Sequence, residues 1–361
     1  MRTIPVPIPG APYEVLVSPG LLDEVGSRLA TLVQGRTAFV VTDKTVAALY
    51  LNRLTHSLEN AGFRVCSHAV PPGEPSKSQA ELFGLYERFL EAGVTRSDVV
   101  VALGGGVPGD LGGFAAATWM RGVPFVQVPT TLLAMVDSSV GGKTGIDLPG
   151  GKNLVGAFHQ PLVVLTDPDT LKTLPDRVFA DGMAEVVKHG AILDAELFGW
   201  CAAGGPAAGE STRDMEWAVA RNVGIKAGVV VRDTRESGER MLLNFGHTVG
   251  HAVERVTGYL RYTHGEAVAI GMAVACRMGV RLGVTSGAVA SLLPPLLAGL
   301  GLPFAAPELD ANEVAAAVVS DKKNRSGKIH VILLQEIGRA TIVPLDEAQA
   351  VHMVSEVWQD V

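Results

Sequence analysis

Cysteine and long apolar runs are both scarce in this sequence. Only Cys66, Cys201 and Cys276 occur, and no CxxC pair suggests a zinc ribbon or a redox site. We therefore expect reduced thiols in a cytoplasmic protein. No apolar run reaches the ~20 residues of a membrane-spanning helix. The first residues, MRTIPVPIPGAPYEV, place Pro and Gly where a signal peptide needs a continuous apolar segment.

An excess of basic charge is also lacking. The chain has 30 Lys and Arg against 37 Asp and Glu, a formal net charge of −7, and the basic residues are scattered. Since polyanion binding needs a basic surface, nucleic acid is not an expected partner. The 361 residues are 47% hydrophobic, and this length favours two domains of about 100–200 residues each.

The first half alternates between two kinds of pattern. Segments rich in β-branched residues recur, and helical patterns such as 79–93 lie between them. Such alternation predicts βαβ units with ligand loops at the carboxyl ends of parallel strands. We predict an α/β, Rossmann-like NAD-binding domain over 1–174. The predicted strands are 37–43, 64–70, 98–106, 123–131 and 162–167.

The second half is predicted to be mostly α-helical over 175–361. It contains stretches rich in Ala, Glu and Leu with helical periodicity. No period indicates a repeat array. The predicted helices are 213–230, 247–257, 265–281 and 286–300, and a late β pair is predicted at 329–334 and 339–343.

The standard dinucleotide fingerprint GxGxxG is absent, but an apolar strand runs into the glycines of 104–109. Glycine lets a pyrophosphate approach bare amides, and the start of a helix supplies a favourable dipole. Taken alone, this pattern is equally typical of a structural turn. Asp43, at a strand end, is placed as a ribose-hydroxyl acceptor would be, and Glu74 and Lys77 follow the next strand in a Pro-Gly loop.

A glycine-rich polar segment follows the strand at 123–131. It contains Asp137, Lys143, Lys152 and Asn153, and we predict loops there. Such loops cannot form a core, but they can bring ammonium groups and amides to an oxyanion such as phosphate. This segment therefore predicts an anion site.

Histidines and carboxylates suggest a metal site in the second half. The i, i+4 spacing favours His247 and His251 as a pair, with Glu254 or Glu185 as the carboxylate. Glu185, His247 and His264 would equally supply three ligands and leave a coordination position open. The spacing leaves both sets open. In isolation, the helical spacing of Glu185 from a lysine three residues later is typical of a surface ion pair.

Together these motifs resemble the dehydroquinate synthase family of sugar-phosphate cyclases, whose fold is shared with iron-containing and glycerol dehydrogenases. The resemblance is carried by GGGVPGDLGGFAAATWMRGVPFVQVPTT, VDSSVGGKTGIDLPGGKN, GMAEVVKHG, RMLLNFGHTVGH and HGEAVAIGM, and it extends from Asp43 to DKKNRSGK. It implies an NAD- and metal-dependent carbon–oxygen lyase. The implied reaction converts 3-deoxy-D-arabino-heptulosonate 7-phosphate to 3-dehydroquinate and phosphate, in the shikimate pathway to chorismate and aromatic amino acids.

The resemblance also implies site residues and a homodimer. The implied ligands of the metal, zinc or cobalt, are Glu185, His247 and His264. The implied NAD-binding residues are Asp43, Glu74, Lys77, Gly105, Gly106, Asp110, Thr130, Thr131, Asp137, Lys143 and Lys152. The implied catalytic and substrate-binding residues are Lys143, Asn153, Lys188, Lys226, Arg240, Asn244 and His251, with Lys322 or Lys323 and with Arg121 from a neighbouring subunit. Pro108 departs from the small or branched apolar residue expected in the glycine turn.

Transient oxidation by NAD, phosphate elimination, re-reduction and aldol closure are the implied steps, and Arg240 has the planar fork that suits a carboxylate. Three alternatives remain: a cyclase acting on sedoheptulose 7-phosphate or an amino-sugar analogue, a metal-dependent polyol dehydrogenase, and a non-enzymatic NAD-binding module. A neutral polyol does not need so many cationic residues, and a binding module leaves the Glu/His/His set without a purpose.

Overall fold

The computed structural model describes residues 1–205, 212–233, 238–321 and 328–358. The described residues pack as two compact units. The first comprises Met1–Leu174 with the described part of Ala208–Val231, and the second comprises the described parts of Pro175–Ala207 and Arg232–Val361. The predicted domain boundary at residue 175 stays a prediction. Among the described helices, none has the length and apolarity that a bilayer crossing requires.

Strands and helices are numbered in chain order. The strands are β1 Arg2–Val6, β2 Tyr13–Val17, β3 Thr37–Asp43, β4 Arg64–Val70, β5 Val99–Gly104, β6 Phe125–Pro129, β7 Lys143–Leu148, β8 Gly151–Phe158, β9 Val163–Thr166, β10 Lys328–Glu336 and β11 Arg339–Asp346. The α-helices are α1 Val25–Leu32, α2 Lys44–Val46, α3 Asn52–Asn60, α4 Gln79–Ala92, α5 Gly106–Thr118, α6 Asp176–Leu193, α7 Ala195–Ala202, α8 Thr212–Arg232, α9 His247–Val256, α10 His264–Arg281, α11 Gly287–Ala290, α12 Leu293–Gly299, α13 Ala311–Asp321 and α14 Glu347–Trp358.

A seven-stranded sheet organises the first unit, in the order β1-β2-β9-β6-β5-β3-β4. The five strands predicted from the sequence all pair in parallel. The sequence analysis missed the antiparallel pair of β1 and β2, which extends the sheet because β2 joins β9 in parallel. The predicted α/β class of the first half is confirmed.

Apolar side chains cover both faces of this sheet. One face packs with Leu29 of α1 and with Leu54 and Leu58 of α3. On the other, Phe39 of β3 meets Phe89 of α4 edge to face, with ring centroids 4.7 Å apart. Since β5 is buried along its whole length between these layers, its carboxyl end is rigidly held.

The polar segment predicted as loops instead contains an antiparallel hairpin of β7 and β8. Gly145 and Gly156 lie directly opposite each other in it. A Cβ at Gly145 would lie 2.7 Å from the carbonyl oxygen of Val155, and one at Gly156 would lie 2.1 Å from that of Thr144. The loop prediction was wrong because these glycines permit close strand approach and do not mark a turn.

The second unit contains α6, α7, α9–α14 and the hairpin of β10 and β11, so its predicted mostly helical class is confirmed. Helix α10 is buried along most of its length. The helix predicted at 286–300 is two helices, α11 and α12, because Pro294 and Pro295 begin the second one. Proline has no amide to donate to the preceding turn, but it fits a first helical turn.

Candidate active site

The glycine turn lies at the carboxyl end of β5, where Gly105 caps α5. Gly104 has φ 150°, and a Cβ there would lie 2.7 Å from Cγ of Pro108. Pro108 is the third residue of α5, where an amide has no partner inside the helix. The unexpected proline is therefore compatible with the turn, and it packs against the residue that must be glycine.

Hydroxyl groups surround this turn. A Cβ at Gly105 would lie 3.1 Å from Cγ2 of Thr131, and one at Gly106 would lie 3.4 Å from Oγ of Ser138. Thr130 is buried, and its hydroxyl has no hydrogen-bond partner among the described residues. The turn thus combines exposed amides with hydroxyl donors, which suits a pyrophosphate. Sequence reasoning missed Ser138, whose only signal is its position directly after Asp137.

A charged cluster centres on Lys77, whose side chain is only 4% exposed. Its ammonium lies 2.9 Å from Oδ2 of Asp110, 2.5 Å from Oδ1 of Asn153 and 3.5 Å from Oε1 of Glu74. Burial lowers the pKa of Lys77, but Asp110 and Glu74 more than offset this, so the pKa is raised. Burial raises the pKa of Asp110 in spite of Lys77. Lys152 lies 3.8 Å from Glu74, so five of the predicted residues converge here.

The other predicted residues of the first unit lie in three settings. Asp43 caps α2, because its Oδ1 accepts from the amides of Thr45 and Val46. The ammonium of Lys226, on α8, lies 2.7 Å from Oδ1 of Asp137. Lys143, at the start of β7, and Arg121, at φ 68°, are exposed.

Three helices of the second unit bring Glu185, His247 and His264 together. Their ligand atoms all lie within 4.8 Å of one another. Glu185 is fully buried and forms an ion pair with Lys188 through Oε2, while its Oε1 lies 3.5 Å from Nε2 of His247 and 3.7 Å from Nε2 of His264. Buried polar atoms usually have partners. Three converging nitrogen and oxygen groups that include a buried carboxylate fit a divalent cation that keeps a position open for substrate.

His251, Glu254 and His264 form a second, overlapping set of converging groups. Nε2 of His264 lies 3.7 Å from Oε1 of Glu185, and its Nδ1 lies 3.5 Å from Oε2 of Glu254. A metal-binding imidazole commonly has a carboxylate at its other nitrogen. This geometry favours Glu185, His247 and His264 as ligands, with Glu254 as the support of His264.

The pKa values of the two imidazoles are shifted in opposite directions. Burial and Lys188 lower the pKa of His247 well below its usual value. Burial also lowers the pKa of His264, but Glu185 and Glu254 outweigh it and raise the pKa to about 10. Nδ1 of His247 lies 3.2 Å from the carbonyl oxygen of Phe245, which orients Nε2 toward Glu185.

Helix α6 holds the start of α10, where His264 is the first residue. Oδ1 of Asp181 accepts from the amide of Gly265 at 2.5 Å. Arg177 forms two contacts of 2.7 Å with Glu266. Arg177, Asp181 and Glu185 follow at four-residue spacing on one face of α6. Sequence reasoning missed this support, although an aspartate one turn before the ligand glutamate was its signal.

The remaining predicted residues of the second unit surround the turn before α9. Arg240 is buried, and its amide donates to Asp233 at 3.1 Å. Asn244 ends the same 3-10 turn, and Lys188 is 2% exposed. The predicted residues Lys322 and Lys323 lie outside the described residues.

Known proteins match this chain over nearly its full length. Family models described as 3-dehydroquinate synthase N-terminal and C-terminal match residues 67–181 and 182–324. A 3-dehydroquinate synthase from Nostoc punctiforme is 46% identical over 358 residues, which cover 95% of this chain and 96% of the relative.

Solved cyclases have the same fold. A 2-deoxy-scyllo-inosose synthase complexed with carbaglucose-6-phosphate, NAD+ and Co2+ is 25% identical, with a TM-score of 0.88 over 98% of this chain and 99% of that one. A 2-epi-5-epi-valiolone synthase from Streptomyces hygroscopicus with NAD+ and Zn2+ bound is 29% identical, with a TM-score of 0.86 over 97% of each chain. The chain therefore belongs to the 3-dehydroquinate synthase family.

Proposed function

We propose that this chain is a 3-dehydroquinate synthase, a carbon–oxygen lyase dependent on NAD and a divalent metal. Its substrate would be 3-deoxy-D-arabino-heptulosonate 7-phosphate, and its products 3-dehydroquinate and phosphate. The observation that carries the proposal is the convergence of His247 and His264 on the buried Glu185 in a chain that both family models match.

Each unit supplies residues for one cofactor. Glu185, His247 and His264 would hold zinc or cobalt, and the glycine turn with Thr130 and Thr131 would hold NAD. When bound, the metal would supply polarisation of substrate hydroxyls, and NAD would supply a reversible hydride acceptor that is not consumed overall.

Substrate anchoring falls to residues with the matching chemistry. Arg240 would bind the carboxylate, since a guanidinium offers two parallel donors to a carboxylate group. In the first unit, Asn153 and Lys143 would donate to the phosphate. The leaving phosphate can itself accept the proton that elimination removes, so these residues need only bind and orient it.

A combined measurement of phosphate and NADH tests this reaction class. Incubation with NAD, zinc and the heptulosonate phosphate should release one phosphate per turnover without net NADH. Net NADH would instead indicate a polyol dehydrogenase, and release of neither would indicate a binding module.

A homodimer in the cytoplasm is the form that we propose for the enzyme. Large apolar side chains are exposed in the first unit: Phe83 and Leu90 on α4, and Leu154 and Phe158 on β8. Exposed apolar residues of this size are typical of surfaces that another chain covers. Light scattering should give a molar mass of twice that of the chain. In the Phe158→Glu variant the measured molar mass should be lower, because a charge would be placed in the proposed interface.

Complementation tests whether Arg121 acts in the neighbouring subunit. Arg121→Ala and His264→Ala should each be inactive alone. After subunit exchange, about half of the dimers would be mixed, each with one intact site, so about a quarter of wild-type activity should return. No recovery in verified mixed dimers would place Arg121 in its own subunit's site.

A further inference from the structure

The β7–β8 hairpin is tied to Lys77 through Asp147, a residue to which the sequence analysis gave no role. The amide of Asp147 donates to the carbonyl oxygen of Lys77 at 2.7 Å. Oδ1 of Asp147 accepts from the amide of Asn153, also at 2.7 Å. Lys77 in turn donates to Oδ1 of Asn153 at 2.5 Å. The three residues therefore form a closed ring of contacts.

Asp147 lies where the hairpin departs from a regular ladder, because the strand register shifts between Ile146 and Leu148. Such an irregularity re-aims the residue inside it. Asn153, on the facing strand, has φ 55°, a left-handed conformation that Asn tolerates better than most residues but that still needs support. The hydrogen bond from its amide to Asp147 supplies that support.

Lys77 determines which end of the Asn153 side chain is presented outward. An amide side chain offers an accepting oxygen and a donating NH2 group. Lys77 is buried and takes the oxygen, while Asp110 holds Lys77 on its other side at 2.9 Å. Since Asn153 is exposed, its NH2 group is the end that a ligand meets. A group that only donates is suited to a phosphate oxygen.

We propose that Asp147 and Lys77 are positioning residues, which together hold the NH2 group of Asn153 toward the substrate's phosphate. This inference rests on the proposed function, because it takes Asn153 as a phosphate ligand.

Three variants of Asp147 separate positioning from charge. Asp147→Ala removes the acceptor and should raise KM for the heptulosonate phosphate by about tenfold, with a smaller change in kcat. Asp147→Asn keeps an oxygen at the same place and should stay within about twofold of wild type. Asp147→Glu keeps the charge but displaces the oxygen, so it should behave like Asp147→Ala. If the alanine variant does not fold, the glutamate variant carries the same test.

A double-mutant cycle shows whether Asp147 acts through Asn153. In an Asn153→Ala background, adding Asp147→Ala should change KM by less than about twofold, since effects that share one route are not additive. Glu59→Ala, an exposed carboxylate in the same unit, is the matched control. NAD affinity, measured by fluorescence titration of the metal-loaded enzyme, should be unchanged by Asp147→Ala.

The outcomes distinguish this inference from the proposed function. Additive effects, an asparagine variant as impaired as the alanine variant, or a selective loss of NAD affinity would overturn the positioning role while the cyclase assignment stands. A wild-type enzyme that releases no phosphate from the substrate would overturn the proposed function itself.

Discussion

At the scale of single residues, the fully buried Glu185 carboxylate is the strongest constraint on what the second unit binds. A buried charge is costly unless it is paired and hydrogen-bonded. Lys188 provides one opposite charge at Oε2, while Oε1 faces the imidazoles of His247 and His264. With His247 and His264 beside it, a cation is the partner that would satisfy it.

His264→Ala should abolish activity and stoichiometric metal binding while the fold is retained, because the set then has only two ligands left. Metal content by mass spectrometry and circular dichroism check both parts. His352→Ala is the control, since that histidine is 80% exposed on α14. Full turnover with one metal per chain in His264→Ala would contradict the ligand assignment.

Gly106→Val should abolish NAD binding, because the added side chain occupies the bare surface of the turn. A Cβ alone would be tolerated by the protein, since its nearest neighbour is Oγ of Ser138 at 3.4 Å. Loss of binding would therefore reflect the missing space for pyrophosphate. Gly84→Val is matched, because Gly84 is also helical and has no atom within 4 Å. Equal NAD affinity in both variants would show that the glycine turn has a structural role and does not bind NAD.

At the scale of elements, local patterns predicted most of what lies around the sites. Long β-branched runs identified β3 to β6 and β9, since buried parallel strands are apolar throughout. The hairpin of β7 and β8 was missed because its glycines resemble loop residues in sequence. Gly145 and Gly156 allow close strand approach because they face each other across the hairpin. This pairing joins residues that are distant in sequence, so local patterns do not predict it.

The metal ligands show a similar division. Spacing along α9 drew attention to His247 and His251, but the other two residues of the proposed set, Glu185 and His264, lie on other helices. Local periodicity cannot tell which helices meet. Motif resemblance supplied that information for Glu185 and His264, whereas Asp181 escaped because its part depends on how α6 packs against α10.

Asp181→Ala should weaken metal binding by about tenfold or more, since supports of metal ligands typically contribute that much. The change removes the acceptor for the amide of Gly265, next to the ligand His264. Asp181→Asn retains an acceptor oxygen and should bind metal nearly as wild type does. Competition with a chromophoric chelator measures both. If Asp181→Ala lowers thermal stability but leaves metal affinity unaltered, Asp181 stabilises the fold and does not support the metal site.

At the scale of the whole molecule, substrate preference is the property that separates the relatives. Two of the matched structures are synthases of other products, at 25% and 29% identity, whereas the 3-dehydroquinate synthase of Nostoc punctiforme is 46% identical. The fold is therefore shared by enzymes with different substrates, and the anchoring side chains must decide between them.

The heptulosonate phosphate should be preferred over sedoheptulose 7-phosphate, which has no carboxylate, by roughly tenfold to a hundredfold. One buried charge-assisted contact contributes about 1.5–3 kcal/mol, and Arg240 is buried. Arg240→Ala should reduce the ratio of the two kcat/KM values, mainly by lowering kcat/KM for the heptulosonate phosphate. Arg232→Ala, which removes an exposed arginine paired with Glu239, should leave this ratio unchanged. Equal kcat/KM values in wild type would favour a neutral-sugar cyclase.

The facing glycines of the hairpin also limit how this chain can diverge. Each excludes a side chain through contact with main-chain atoms of the opposite strand, so no replacement at the partner position can relieve the clash. Random variation should therefore be rejected at Gly145 and Gly156 and tolerated at Gly150 in the same hairpin, where an added Cβ meets no atom within 4 Å. Variants that fold should therefore retain the backbone path of the hairpin, and with it the placement of Asn153.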